Sequence, residues 1–201
     1  MARTSKESKH LARQKLIETA ARHFAEHGVG GARVDAISND AGFAKGTLYN
    51  YFPSKNDLFA AVIEEACHQA LRAYESAEMR ATVRDRLRAL AAADVAVLRE
   101  NEGFVQVLVR EAMSFRPETY PLIVEHLAPL VAKVVEVLEA GVNEGTIRDD
   151  RPPPQLALLF ISLLSLTYIQ HWGSGGTWPA LDDVPDLVVT TFLEGAGGRN
   201  E

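Results

Sequence analysis

The spacing of the apolar residues constrains this fold more than any other feature of the sequence. Along nearly the whole chain they recur at intervals of three and four residues, as in the stripe that contains Leu16, Ala20 and Phe24. Such intervals place side chains on one face of an α-helix. No convincing alternation of apolar and polar residues, the pattern of a half-buried strand, is present. The sequence therefore predicts an all-α protein.

Glycine and proline residues divide this pattern into separate helices. Gly28 follows the first apolar stripe, and Gly42 ends a segment of about two turns that carries Val34 and Ile37. Pro53 ends the next short segment because it cannot continue a helix. Beyond residue 74 the predicted helices are longer and cover roughly 80–100, 103–115, 117–141, 155–172 and 184–194.

Charge is distributed unevenly along the chain. Residues 1–60 contain nine Lys/Arg and six Asp/Glu, a net charge of +3, whereas the remainder contains twelve and twenty-one, a net charge of −9. The formal net charge of −6 for the whole chain therefore does not exclude a nucleic acid as the partner of the N-terminal part.

Residues 44–55 read AKGTLYNYFPSK and concentrate basic and hydroxyl side chains on one short segment. Leu48 and Phe52 are spaced to enter a core, which leaves the lysine, threonine and tyrosine side chains for a polyanion. Ser54 with Asp57 resembles a capping box and predicts the start of a long helix. A surface helix with half-packed tyrosines is the alternative interpretation.

Two short helices joined by a tight glycine turn are typical of a helix-turn-helix, whose second helix lies in the major groove of DNA. The runs RVDAISNDAGFAKGTLYNYF and PSKNDLFAAV resemble the N-terminal domain of the TetR family of transcriptional regulators. The resemblance covers roughly residues 10–70. It implies a three-helix DNA-binding head at 10–70, with its motif at 33–52, and a larger helical ligand-binding and dimerisation domain at 71–201.

The resemblance also implies which residues contact DNA. Arg33–Ala41 corresponds to the positioning helix and Ala44–Phe52 to the recognition helix. The predicted DNA contacts are Arg33, Lys45, Gly46, Thr47, Tyr49, Tyr51 and Lys55. Lysine supplies charge, threonine and tyrosine supply hydroxyl donors, and glycine permits a close backbone approach.

Two further features of the head concern its helix starts and its N-terminal arm. Arg33 and Ala44 stand where the family often has threonine and serine, so both short helices are expected to lack an N-cap side chain. A basic arm that contains Arg3, Lys6, Lys9 and Arg13 either contacts the DNA backbone or remains a solvated tail.

The segment 155–172 is apolar on nearly every side, and one molecule offers no second core for both of its faces. Pairing of helices 155–172 and 184–194 with the same helices of a second copy would bury this segment. Such pairing is the dimer arrangement usual in the family. The alternative is that this helix is enclosed within its own subunit.

Two carboxylates, Asp94 and Glu111, fall on core-facing stripes and need partners. Arg110 or another basic residue would make a structural ion pair. The other interpretation is a ligand pocket with aromatic walls and a few polar anchors. Its predicted residues are Asp94, Phe104, Glu111, Phe115, Tyr120, His126, Tyr168 and Trp172.

No motif predicts an enzyme, a metal site or a cofactor, because Cys67 is the only cysteine and no phosphate-binding glycine loop is present. The apolar run 156–169 is shorter than the roughly 18 residues that span a bilayer. We therefore expect a cytoplasmic protein without a membrane partner, a cofactor or a catalytic activity.

Together these patterns predict a ligand-responsive transcriptional repressor. It would bind a pseudo-palindromic DNA operator as a homodimer and be released by a small, largely apolar inducer. The alternative function is a helical protein-interaction adaptor that binds no specific DNA sequence. Strongly salt-dependent DNA binding would distinguish the two functions.

Overall fold

The structure, a computed structural model, describes the backbone of residues 2–77 and 82–196, with side chains from residue 6 to residue 194 in these ranges. The all-α prediction is confirmed, since these residues form nine helices and contain no strand. The helices are α1 Ala2–Gly31, α2 Val34–Asp40, α3 Lys45–Tyr51, α4 Lys55–Ser76, α5 Val83–Glu100, α6 Glu102–Ser114, α7 Tyr120–Asn143, α8 Pro153–Gly173 and α9 Val184–Ala196.

The chain forms two compact units. The N-terminal unit comprises Met1–His68 with Asn101–His126, and the C-terminal unit comprises Gln69–Glu100 with Leu127–Glu201. Helix α6 and the start of α7 thus belong with the head, whereas the sequence suggested a single division at residue 70. The reason is that α6 packs along α1.

The core of the N-terminal unit is built from the predicted apolar stripes. Leu16, Ile37, Leu48 and Leu58 are completely buried. The ring of Phe24 meets that of Phe59 edge to face, with centroids 5.8 Å apart. Helices α1 to α4 are therefore held by one shared apolar core, which fixes the orientation of the short helix α3.

Two local features set the limits of these helices. Gly28 has φ 68, so α1 is interrupted there. Arg110 of α6 donates from Nη1 to the carbonyl oxygen of Ala25 at 2.7 Å, in the turn before this interruption. At the start of α4 the amide of Asp57 donates to Ser54 Oγ at 3.1 Å, which confirms the predicted cap.

The C-terminal unit joins α5 and α8 to the last helix. The rings of Phe160 in α8 and Phe192 in α9 meet edge to face at 5.4 Å. The guanidinium of Arg88 in α5 donates to Asp186 in α9 at 2.9 Å. The pair is exposed, so it contributes little stability by itself. Apolar packing therefore holds this unit together.

Helix α8 buries only one of its apolar faces. Leu156, Phe160 and Leu164 are buried, whereas Leu158, Leu159 and Leu166 are 55%, 58% and 49% exposed and Ile169 is 37% exposed. We call the exposed positions, together with Ser162, the outer face of α8. The observed exposure contradicts enclosure of the helix within its own subunit.

The polar groups near this outer face are satisfied by their own helix. Ser162 Oγ donates to the carbonyl oxygen of Leu158 at 2.7 Å, and Ser165 Oγ donates to that of Ile161 at 3.1 Å. Such bonds within one turn use the hydroxyl protons of both serines. The outer face is consequently apolar in character despite its serines.

The length of α8 corrects one expectation from the sequence. The helix has 21 residues and is long and apolar enough to cross a membrane, although the run 156–169 alone is too short. Core helices of other helical proteins have the same length and composition. Because one stripe of α8 packs against α9, we treat it as part of the C-terminal unit.

Candidate functional site

Helix α3 presents most of its polar side chains to solvent. Leu48 at its centre is completely buried, and on the other side of the helix Lys45, Gly46 and Tyr49 are exposed. Thr47 and Tyr51 are half-buried and flank this exposed side. The arrangement is that of a recognition helix, with one face anchored and the other available to a groove.

Lys45 forms an ion pair that the sequence did not reveal. Its Nζ lies 2.9 Å from Asp35 Oδ1 at the start of α2. The hydrogen bond with Asp35 and the negative charge of that residue raise the pKa of Lys45. Both side chains are about half exposed, so an incoming phosphate or base can compete for the ammonium.

The short helices lack N-cap side chains, as predicted. Arg33 precedes α2 and Ala44 precedes α3, both with extended backbone angles and neither with a side-chain cap. Arg33 is exposed. The first N–H groups of α2 and α3 therefore have no side-chain cap from the residue before the helix.

Lys55 is engaged within the N-terminal unit. Its Nζ donates to the carbonyl oxygens of Gly30 at 3.2 Å and Ala32 at 3.4 Å. These bonds link the start of α4 to the end of α1. The ammonium group of Lys55 has three N–H donors. Its contact with a phosphate remains a prediction, which requires either the third donor or the loss of one of these two bonds.

Helix α1 adds two cations beside the motif. The guanidinium of Arg13 lies 5.3 Å from the ring centroid of Phe52, and Lys15 Nζ lies 5.9 Å from that of Phe43. Arg13 belongs to the predicted basic arm, whereas Lys15 was not singled out. Residues 6–13 are helical rather than a free tail, and the side chain of Arg3 lies outside the described residues.

The glycine at position 46 leads to a prediction about the DNA-binding surface. A Cβ at this helical position would meet no protein atom within 4 Å, so packing does not require glycine. We expect Gly46→Ala to stabilise the protein by about 0.5–1 kcal/mol while weakening operator binding at least about tenfold. Thermal unfolding and fluorescence anisotropy would measure the two effects.

Gly173 at the end of α8 offers a matched control, since a Cβ there also meets nothing within 4 Å. Gly173→Ala should leave DNA affinity unchanged. Operator binding by the Gly46→Ala protein at the parent affinity would show that the backbone at residue 46 does not approach DNA closely.

The predicted ligand residues are divided between the two units. Asp94, Tyr168 and Trp172 belong to the C-terminal unit. The other five, which are Phe104, Glu111, Phe115, Tyr120 and His126, belong to the N-terminal unit. The set predicted as one pocket is therefore two sets in separate compact units.

Asp94 has tyrosine partners rather than a basic one. Tyr168 donates its hydroxyl to Asp94 Oδ2 at 2.7 Å, and Tyr74, which is buried in α4, lies near the same carboxyl group. Burial raises the pKa of Asp94, while the nearby hydroxyl groups of Tyr168 and Tyr74 lower it. Tyr74 was not predicted, because nothing in the sequence indicates which α4 residue meets α5.

Glu111 lies on the buried face of α6, as predicted, and is 2% exposed. Its recorded side-chain neighbour is Ser114, whose Oγ lies 3.5 Å from Glu111 Oε2. Arg110, the basic partner that the sequence suggested for these acids, instead donates to the carbonyl oxygens of Ala25 and Glu26. Among the described residues, Glu111 forms no hydrogen bond or ion pair with a basic side chain.

Two of the predicted aromatic side chains are exposed. Phe115 is 68% exposed and Tyr120 is 40% exposed, and their rings lie against each other at 5.8 Å. Phe115 has φ 50, so α6 ends at this residue and its helical stripe does not continue. Phe104 is buried and His126 is half-buried, each consistent with ordinary packing.

The C-terminal unit also has an open surface groove of about 450 Å³. It is lined mainly by alanines of α4 and α5, with Asp85 and Arg88 as charged members. The groove lies on the side of α5 opposite to Leu87, Leu90 and Asp94, because these residues differ from its lining residues by about half a helical turn.

Comparisons with known proteins agree with this geometry. Residues 16–62 match the family of bacterial regulatory proteins described as the tetR family. Residues 80–195 match the family described as the tetracyclin repressor-like C-terminal domain. The two matches together cover both predicted parts of the chain.

Similar proteins include transcriptional repressors. The repressor AcnR of Corynebacterium diphtheriae is 29% identical over 89% of this chain and 90% of its own length. The repressor SCO4008 of Streptomyces coelicolor is 30% identical over 74% of each chain. The structure of Bacillus subtilis FadR in complex with stearoyl-CoA has a TM-score of 0.81 at 21% identity, and covers 90% of this chain and 98% of that chain.

Proposed function

The chain belongs to the TetR family of bacterial regulatory proteins, and from this membership we propose how it works. It is a ligand-responsive DNA-binding repressor that recognises a pseudo-palindromic operator as a homodimer. It leaves the DNA when a small, largely apolar inducer binds to its helical part. The exposed polar side of α3, anchored through Leu48, is the observation that supports this function most directly.

DNA recognition is assigned to the predicted residues of the head. Lys45 is the side chain for guanine acceptors, since lysine reaches O6 and N7 in the major groove. Thr47, Tyr49 and Tyr51 supply hydroxyls for phosphates or groove edges, and Arg33 supplies a charge at the start of α2. Two heads would read half-sites about 34–36 Å apart or a multiple of that distance.

The homodimer is supported by the outer face of α8. A second copy would cover Leu158, Leu159 and Leu166 with the same residues, as a two-fold interface requires. The neighbouring helix α9 would complete a four-helix bundle. Ligand and DNA would favour different arrangements of the paired heads, so each would weaken binding of the other by the same factor.

The site of action is the cytoplasm, where operator DNA is found. We assign the protein no catalytic activity, cofactor or membrane partner. The likeness to FadR supports a small-molecule ligand in general terms, because that protein was solved with stearoyl-CoA.

The test is to select binding sites from random duplex DNA and to measure affinity for the selected site at several salt concentrations. We expect a pseudo-palindrome and a steep loss of affinity with rising salt, as release of counterions requires. Failure to enrich any sequence, with weak binding to all DNA, would favour the adaptor function instead.

Lys55→Ala tests a phosphate contact in this complex. If Lys55 reaches a phosphate in both half-sites, the slope of log affinity against log salt should fall by about two. The loss should be similar for all DNA sequences. Lys133→Ala in α7 removes an equal charge beside Glu136 and should leave the slope unchanged.

The bonds from Lys55 to Gly30 and Ala32 allow a different outcome. If the residue only links α1 to α4, the Lys55→Ala protein should unfold at a lower temperature and keep the parent slope. That result would exclude Lys55 from the DNA interface.

A further inference from the structure

Helix α1 begins well before the core of the N-terminal unit. Among the described residues, Leu16 is the first residue of α1 that is completely buried, and residues 6–11 are all exposed. The match to the tetR family also begins at residue 16. Residues 6–13 therefore add about two helical turns that the core does not need, although an unpacked helix is only marginally stable in water. These turns are accessible to a partner molecule.

Positive charge is concentrated on one side of these turns. At about 100° of rotation per residue, four basic side chains fall within an arc of about 100°. We call them the basic stripe of α1, and they are Lys6, Lys9, His10 and Arg13. Glu7, the one acidic residue of residues 6–13, lies outside this arc. The basic stripe is therefore a continuous face about two turns long without an acidic side chain in it.

The basic stripe lies on the side of α1 that carries the helix-turn-helix. Lys6 precedes Phe24 by about five full turns, so both side chains lie on the line of α1 that enters the core further along the helix. The guanidinium of Arg13 lies 5.3 Å from the ring centroid of Phe52, the residue that follows α3. The basic stripe thus extends from the end of α3 toward the start of α1.

A phosphate backbone fits this stripe in charge and in length. The rise from Lys6 to Arg13 is about 10 Å, which is the length of about three phosphate intervals along one DNA strand. Lysine binds a phosphate as a point charge and needs no particular base. Because Arg13 lies at the end of α3, a duplex held by α3 would bring its neighbouring phosphates to this side of α1.

From this geometry we infer a second DNA-binding surface, an inference that rests on the proposed function. The basic stripe of α1 binds the phosphates that flank each half-site, outside the bases that α3 contacts. Lys6 and Lys9 make these contacts, and Arg13 joins the stripe to the head through Phe52. The contacts add affinity without sequence preference. They require the helical form of residues 6–13, because only a helix places both lysines on one face.

An anionic membrane surface is the other partner that a basic helix face could bind. A helix that lies on a membrane needs a broad apolar face opposite its charges. Residues 6–13 contain one large apolar side chain, that of Leu11, which is 64% exposed. DNA is therefore the partner that the composition of these turns favours.

The experiment measures binding of the full-length protein to its selected operator by anisotropy at several salt concentrations. Lys9→Ala should lower the slope of log affinity against log salt by about two, since each of two heads loses one phosphate contact. Arg22→Ala removes an equal charge from an exposed position on the opposite side of α1 and should leave the slope unchanged. An unchanged slope for Lys9→Ala, or an equal fall for Arg22→Ala, would overturn the inference.

An exchange of two residues tests whether the segment binds as a helix. Lys9→Leu combined with Leu11→Lys keeps the composition and the net charge but moves one charge by about 200° around α1. Both positions are exposed, so the fold should be retained, which thermal unfolding checks. The slope should fall as it does for Lys9→Ala. A parent slope in the exchanged protein would show that a flexible tail makes the contact, which contradicts the basic stripe.

Modified DNA tests where these contacts lie. A second operator duplex carries uncharged methylphosphonates in place of the phosphates that flank each half-site. The parent protein should bind this duplex about tenfold less tightly than the unmodified operator. The protein with both Lys6→Ala and Lys9→Ala should bind the two duplexes nearly equally. Equal binding of both duplexes by the parent protein would exclude contacts outside the half-sites.

The outcomes separate this inference from the proposed function. A protein that selects a specific operator but keeps its salt slope in Lys9→Ala would overturn only the second DNA-binding surface. A protein that enriches no DNA sequence would overturn the proposed function. Binding to phosphatidylglycerol vesicles that Lys9→Ala abolishes, together with an unchanged slope on DNA, would assign the basic stripe to a membrane and contradict the inference.

Discussion

Leu166→Glu is expected to convert the protein to a monomer and to weaken operator binding about a hundredfold or more. In the proposed dimer this side chain meets the same face of a second copy, so each interface would contain two carboxylates in an apolar environment. Removing a charge from water without a partner costs about 3 kcal/mol or more, equivalent to at least a hundredfold in affinity. A single head would then contact only one half-site.

The measurement is analytical ultracentrifugation over a range of concentrations, followed by anisotropy with operator DNA. Leu166 is preferable to Leu163, which also lies on this helix but is half-buried at the edge of the outer face. Ala128→Glu, at an exposed position of α7 in the same unit, provides a control for added charge and should remain dimeric. Dimers of Leu166→Glu at low concentration would refute an interface through α8.

Lys45→Ala should produce the other large effect. Loss of a base contact typically costs about 1–3 kcal/mol, and a dimer loses two such contacts. The free energy of operator binding should therefore become less favourable by about 2–6 kcal/mol. The selected motif should also relax at one position in each half-site. Selection of the unchanged parent motif by Lys45→Ala would exclude base readout by this residue.

The ion pair between Lys45 and Asp35 leads to the opposite expectation for DNA affinity in the same binding assay. Asp35→Asn releases Lys45 and removes a negative charge beside the recognition helix. Affinity for unrelated DNA at low salt should therefore rise, and the ratio of specific to unrelated binding should fall. Lys133→Ala, which removes a charge outside the head, should change neither quantity by more than a small factor.

The helices were predictable because their signals are local. Apolar spacing and the glycine and proline breaks identified each of them, and the predicted 155–172 and 184–194 correspond to α8 and α9. The missing caps at Arg33 and Ala44 were equally visible, because a cap depends on one residue type at one position.

The division into units was less predictable because it depends on tertiary packing. Helix α6 packs along α1, and nothing in its sequence indicates which of two apolar neighbours it chooses. The same limit explains why the residues predicted to line one ligand pocket belong to two units. Helical phase correctly placed Asp94 and Glu111 on inner faces, but it could not reveal the left-handed backbone of Phe115, where the predicted helix ends and the ring is exposed.

Side-chain pairing was the least predictable level. The partners of Lys45, Lys55 and Asp94 come from other helices, and distance along the sequence gave no indication of them. Asp35 and Tyr74 were overlooked for this reason. Charge and position along a helix identify side chains that could bind a partner. Only the packed structure shows which of these side chains are already bonded within the chain.

In the proposed dimer, the internally bonded serines of α8 would have a consequence for the choice of partner. Because Ser162 and Ser165 donate their hydroxyl protons to carbonyl oxygens of their own helix, the outer face offers a partner shape and apolar area but no serine hydroxyl proton. Two related repressors with similar leucine patterns would then differ little as partners for this chain. Mixed dimers would join two different heads and would therefore bind asymmetric operators. Only steric fit and the time at which each gene is expressed would prevent their formation.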